Sequence, residues 1–82
     1  MKTNLTALKG MIENYYDNAY ADYGVENEGI VVRAGEDNLF VFAYENDNGN
    51  HYARCTVLPV NAFTAEEVFN IWMDAENIEL PF

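Results

Sequence analysis

The sequence is poor in the residue types that build catalytic sites, with no serine, one cysteine and one histidine among its 82 residues. Without serine, a hydroxyl–imidazole triad could use only threonine. The single cysteine, Cys55, excludes an intramolecular disulfide, and His51 lies about 13 Å from it along a predicted strand. The segment 46–50 lacks the spaced acidic ligands and the closing glutamate of a calcium loop. We therefore expect no enzyme activity, no cofactor and no metal site.

Basic residues are also scarce, because four Lys and Arg face fourteen Asp and Glu and give a formal net charge of −10. Contact with nucleic-acid phosphates requires cations, and anionic membrane surfaces repel such a chain, so direct binding to either is not expected. A partner with a basic surface would instead be attracted from a distance. The alternative is that the charge serves only solubility, for which a net charge of about 2 to 8 is enough in a small domain.

Long apolar runs are missing, and none approaches the length needed to span a membrane. The start, Met1-Lys2-Thr3-Asn4, has no apolar stretch of the signal-peptide kind. Half of the residues are nevertheless hydrophobic, too many for a disordered chain, and this length accommodates one core. We expect a single acidic domain over residues 1–82, resident in the cytoplasm.

Two segments have the pattern of helices. Apolar residues at steps of three and four predict the first helix, with Thr3 or Asn4 as its cap and Gly24 at its end. Its apolar face comprises Leu5, Leu8, Ile12, Tyr15, Ala19 and Tyr23. The second helix begins at Thr64-Ala65-Glu66-Glu67, which fits a capping box. Its inward face comprises Val68, Ile71, Trp72 and Ala75.

Between the helices, three strands are predicted at 29–33, 38–45 and 51–58, joined by short turns that favour an antiparallel meander. Asp47-Asn48-Gly49 fits a three-residue hairpin loop, which sets Tyr44 opposite Tyr52 and Phe42 opposite Arg54. A two-residue Asn48-Gly49 loop would shift the pairing by one residue and mix aliphatic with aromatic side chains. The predicted fold class is α+β, in the order α-β-β-β-α, with both helices on one face of the three-stranded sheet.

The register set by the three-residue loop predicts one aromatic and one aliphatic face of the sheet. Cys55 falls on the aliphatic face and is therefore expected in the core. The aromatic face comprises Phe40, Phe42, Tyr44 and Tyr52, with Arg33 and Arg54 beside them. Aromatic residues and arginine are enriched at protein interfaces, so we expect this face to bind a partner or a second copy of the chain. Two alternatives would cover it instead: the C-terminal tail, 77–82, or stacking of the two arginines on the rings.

Acidic residues form the second candidate surface. Carboxylates four residues apart on a helix are about 5–6 Å apart at their Cβ atoms, and each strand of duplex DNA presents a phosphate about every 3.4 Å. A folded acidic surface can therefore imitate an array of phosphates. The candidate contact residues are Glu13, Asp17, Asp22, Glu66, Glu67, Asp74 and Glu76.

The leading hypothesis is an acidic inhibitor that occupies the site of a basic nucleic-acid-binding protein or nuclease as a DNA or RNA mimic. In size and charge the chain resembles the small phage and mobile-element inhibitors of restriction or CRISPR enzymes, which use this device. One alternative is an immunity-type inhibitor of a basic toxin that binds through the aromatic sheet face. Others are a small homodimeric domain of unknown role, and a small enzyme or metal-binding domain.

Overall fold

In the computed structural model of the chain, the described residues are 2–20, 27–47 and 49–81, and at 17–20, 27, 28 and 47 only the backbone is described. The elements are α1 (Leu5–Tyr20), β1 (Asn27–Ala34), β2 (Asn38–Asp47), β3 (Asn50–Pro59), α2 (Ala65–Asp74) and β4 (Ile78–Glu79). The strands pair antiparallel in the order β1-β2-β3-β4. The predicted α+β class and helix–meander–helix order are confirmed. The short strand β4 was not predicted.

Helix α1 begins after Asn4, whose side-chain oxygen accepts the backbone N–H of Ala7 at 3.0 Å. This bond satisfies one of the donors that a helix start leaves without an intrahelical partner, so Asn4 is the cap. Thr3, the other predicted cap, is buried and donates its hydroxyl to the carbonyl of Phe63, which ties the start of α1 to the segment before α2. The predicted helix end at Gly24, like Tyr23, lies outside the described residues.

Helix α2 begins with the predicted capping box. The hydroxyl of Thr64 accepts the backbone N–H of Glu67 at 3.3 Å, and the Glu67 carboxylate accepts the backbone N–H of Thr64 at 3.0 Å. The hydrogen bond from the Thr64 backbone N–H, followed by a smaller contribution from the Thr64 side chain, holds the pKa of the exposed Glu67 carboxyl below its ordinary value of 4.5. The carboxylate therefore favours the folded state above pH 4.5, and this contribution is lost as the pH falls through the lowered pKa.

The register between β2 and β3 differs from the predicted one. Asp47 pairs with Asn50, so the loop has two residues, and Phe42 faces Cys55 where Arg54 was expected. Gly49 has a φ of +89°, and its N–H is accepted by the Asn46 side chain at 3.0 Å. An asparagine–glycine pair is the preferred sequence of two-residue hairpin loops because positive φ values are needed there. The local turn preference, rather than the uniformity of each sheet face, sets the register.

The one-residue shift moves every side chain of β3 to the opposite sheet face. Arg54 and Tyr52 therefore lie on the face that the helices cover, not among the outer aromatics as predicted. Cys55, predicted in the core, is exposed on the outer face. The pairing of β1 with β2 places Ile30 and Val32 on the same face as Val41, as expected.

The core lies between the helices and this covered face. Helix α1 contacts β1, α2 contacts β3, and the two helices contact each other. The largest fully buried side chains are Trp72, Leu8, Ile12, Leu39, Val41 and Val68. No helix of the described residues lies on the opposite face of the sheet, so this part of the chain forms two layers.

Candidate protein-binding surfaces

The exposed acidic side chains are distributed unevenly over the fold. Those on or just after the helices form a surface that we call the acidic helix layer: Glu13, Glu66, Glu67, Asp74 and Glu76, all exposed. Glu36 and Asp37, also exposed, lie in the turn between β1 and β2. The side chains of the other two predicted contact residues, Asp17 and Asp22, lie outside the described part of the chain.

Helix α2 dominates the acidic helix layer because its ten residues include no Lys or Arg. Glu66 and Asp74 are eight residues apart, about 12 Å along the helix axis, a span that covers three to four phosphate spacings of about 3.4 Å on one DNA strand. Two cations lie close to the layer, since Lys9 is one turn before Glu13 on α1 and the charge of Lys2 helps to lower the pKa of Glu67.

Arg54 is held beneath the helices by aromatic side chains. Its guanidinium carbon lies 4.9 Å from the centre of the Trp72 ring and 6.0 Å from that of Tyr15, both within the range of cation–π attraction. The indole N–H of Trp72 donates to the Arg54 carbonyl at 3.4 Å, and an Arg54 N–H donates to the Met73 sulfur at 3.7 Å. These contacts fix α2 against β3 and keep this cation away from the acidic helix layer.

Glu45 is a buried carboxyl on the same sheet face, with 3% of its surface exposed. One of its oxygens accepts from the Asn77 side chain at 3.4 Å, while the other oxygen and Arg54 Nε have no hydrogen-bond partner. Burial raises the pKa of the neighbouring Tyr16 hydroxyl; the Glu45 charge raises it further, and the Arg54 charge lowers it. Both charges therefore lie near the Tyr16 hydroxyl. Glu45 is therefore a structural group and cannot contact a partner.

The outer sheet face carries exposed apolar side chains. Phe40 is 41% exposed, and beside it Val31 and Val57 are 49% and 52% exposed. Phe42 and Tyr44 also lie on this face and are half-buried. The prediction for Phe40, Phe42 and Tyr44 as outer-face residues is therefore confirmed, whereas that for Tyr52 and Arg54 is wrong.

The C-terminal tail does not cover the outer sheet face. Ile78 pairs with Ala53 as part of β4, and the Leu80 N–H donates to the His51 carbonyl at 2.7 Å, so the tail extends the edge of the sheet. Phe82 lies outside the described residues. The predicted covering by 77–82 is thus wrong for 77–81, and Arg54 cannot stack on the outer rings because it lies on the opposite face.

The outer-face residues that reasoning from the sequence missed include Val57, Cys55 and Ile78. The first two could have been found from the Asn48-Gly49 pair, because a two-residue loop there fixes which β3 residues alternate outward. Ile78 had no such signal, since a two-residue strand has too short a pattern to detect.

Other site types find no support in the described residues. No group of three or more His, Cys, Asp or Glu side chains there is placed to hold a metal ion. None of the described helices has the length and apolar character needed to cross a membrane. Comparison with known proteins found no match among family models, curated proteins or solved structures. The two surfaces are therefore interpreted from their chemistry.

Proposed function

We propose that the chain is an acidic inhibitor protein that binds a basic nucleic-acid-binding protein or nuclease through its acidic helix layer, in place of DNA or RNA. The observation that carries this proposal is the set of five exposed carboxylates on or just after the two helices, together with the absence of Lys and Arg from the ten residues of α2. A basic groove built to hold phosphates offers such a surface complementary charge.

The rigidity of the helix layer supports a mimic of this kind. Helix α2 is fixed at its start by the capping box and along its length by the buried Trp72 and its contact with Arg54. Because the backbone of this helix is already fixed, binding orders only the carboxylate side chains, and little further backbone entropy is lost. The same negative field speeds association at low salt, and this effect weakens as the Debye length falls from about 10 Å at 0.1 M salt to about 3 Å at 1 M.

The test compares two variants that remove the same number of charges from different places. Glu13→Gln/Glu66→Gln neutralises one carboxylate on each helix, and Glu36→Gln/Asp37→Asn neutralises two in the turn between β1 and β2. The tagged proteins capture partners from host lysate at low and moderate salt, and affinity for the purified partner is then measured. We expect the helix-layer variant to bind about tenfold more weakly, since two exposed ion pairs contribute up to about 1 kcal/mol each.

The turn variant serves as the matched control and is expected to bind almost as well as the parent chain. Equal binding by the helix-layer variant and the parent would remove the helix layer from the interface. Equal losses in both variants would show that net charge alone, rather than this surface, attracts the partner.

A further inference from the structure

The outer sheet face differs from the rest of the surface in both charge and polarity. Of the nine acidic residues whose side chains the structure describes, none lies on it: eight are exposed elsewhere and Glu45 is buried under the helices. The described side chains that line it are apolar or uncharged, apart from Arg33 and the ring of His51, which hydrogen-bonds Tyr44. Its most exposed members are Val31, Phe40, Val57 and Ile78.

We propose that the outer sheet face packs against the same face of a second copy of the chain. Two copies that each carry a formal net charge of −10 repel through any surface that holds carboxylates. The outer sheet face is where this repulsion is weakest, because burying it brings no described carboxylate into the contact. A basic partner, in contrast, would form no ion pair with a described carboxylate on this face and would be repelled by the positive charge of Arg33. The face is thus suited to an apolar, self-complementary contact of the kind that two-fold dimers use.

The size of the face determines how tight the dimer is. Strands β2 and β3 have ten residues each, about 33 Å of length, and three strands spaced about 4.8 Å apart are about 14 Å wide. The flat area is therefore about 450 Å² per copy, below the roughly 800 Å² per partner of a standard interface. We expect a reversible dimer with a dissociation constant between micromolar and millimolar.

In this dimer the two sheets stack about 10 Å apart, with the helices on the outside. Each acidic helix layer then faces solvent on an opposite side, so dimerisation leaves it free. The inference therefore does not depend on the proposed function. It also predicts an opposite response to salt, because screening weakens binding of a basic partner but relieves the repulsion between two acidic copies.

The test is sedimentation velocity from low micromolar to submillimolar protein, at low and moderate salt. Val57→Asp places a carboxylate on the outer sheet face opposite Phe40, and Asn70→Asp adds the same charge at an exposed position of α2. We expect a concentration-dependent dimer for the parent chain and for Asn70→Asp, strengthened by salt. In Val57→Asp the association constant should fall at least about tenfold, because a carboxylate is costly to bury against apolar surface.

Cys55 provides a second readout, since it is exposed on the same face beside Val57. The rate at which its thiol reacts with a chromogenic disulfide reagent should fall as protein concentration rises, and should become independent of concentration in Val57→Asp. Circular dichroism confirms that the variants fold, and Val31→Asp replaces Val57→Asp if the latter does not. A chain that stays monomeric throughout, or a dimer that survives both substitutions, would overturn the inference and leave the face to a different partner.

Discussion

Replacing Trp72 with alanine is expected to lower the free energy of unfolding by about 3–5 kcal/mol, the usual cost of removing a large buried aromatic side chain. Trp72 is fully buried and contacts both helices and the sheet: its ring lies 5.8 Å from Tyr15, 6.0 Å from Tyr16 and 4.9 Å from the Arg54 guanidinium. A small domain has about 5–15 kcal/mol of stability in total. The variant should therefore unfold at a markedly lower urea concentration than the parent chain.

Urea denaturation followed by circular dichroism measures this loss, and Trp72→Phe is the matched variant. Phenylalanine keeps much of the ring packing but removes the indole N–H that donates to the Arg54 carbonyl at 3.4 Å. We expect it to cost less than half as much as alanine. A loss below about 1 kcal/mol for Trp72→Ala would mean that the site tolerates a cavity and that Trp72 does not anchor α2.

Glu45 and Arg54 are expected to be energetically coupled. They lie on the covered sheet face at diagonal positions of the β2–β3 ladder, because Glu45 faces Tyr52 and Arg54 faces Ala43. Diagonal neighbours are about 7–8 Å apart, within reach of long side chains. Removing one charge leaves the other enclosed without compensation, whereas removing both leaves neither. Glu45→Leu and Arg54→Met should each destabilise the fold by about 2–4 kcal/mol, and the double variant by less than their sum.

A double-mutant cycle measured by urea denaturation gives the coupling energy, which we expect to be about 1–3 kcal/mol. The control cycle pairs Glu45→Leu with Lys9→Met, a substitution of an exposed cation on α1, and should be additive. If the Glu45–Arg54 cycle is also additive, the two charges do not compensate each other. The unpartnered oxygen of Glu45 and the Nε of Arg54 would then each lower the stability of the fold independently of the other.

Local sequence signals predicted the helices and the fold class well. The apolar spacing of α1, the Asn4 cap and the capping box of α2 each involve residues within a few positions of one another. Such signals are strong because the contacts they describe form within a single turn of helix. For the same reason, the order of elements could be predicted without knowing any long-range contact.

The strand register could not be predicted by sorting residues by type. Two uniform sheet faces looked favourable, but Arg54 is accommodated on the covered face by stacking on Trp72, a contact between residues 18 positions apart. An arginine side chain can cover apolar surface with its methylene stem while its guanidinium group stacks on an aromatic ring. The burial of Glu45 had no local signal either, because it depends on how the helices pack across the sheet.

The two proposals together describe a strongly acidic chain that both binds a partner and self-associates. In this account, repulsion restricts apolar contact to the sheet face on which no described carboxylate lies, and the helix layer carries carboxylates on α2, whose ten residues include no Lys or Arg. A weak dimer through the outer sheet face would present two acidic helix layers to a larger basic surface. Binding of both layers to one partner would then raise the apparent affinity without any new contact.

Displacement by duplex DNA tests the phosphate-mimic proposal most directly. The captured partner, bound to the immobilised chain at low salt, is titrated with duplex DNA or with dextran, an uncharged polysaccharide. We predict that DNA releases the partner in a concentration-dependent manner and that dextran does not, because the acidic helix layer and the phosphates occupy the same basic site. A partner that stays bound at saturating DNA, forming a ternary complex, would contradict the proposal.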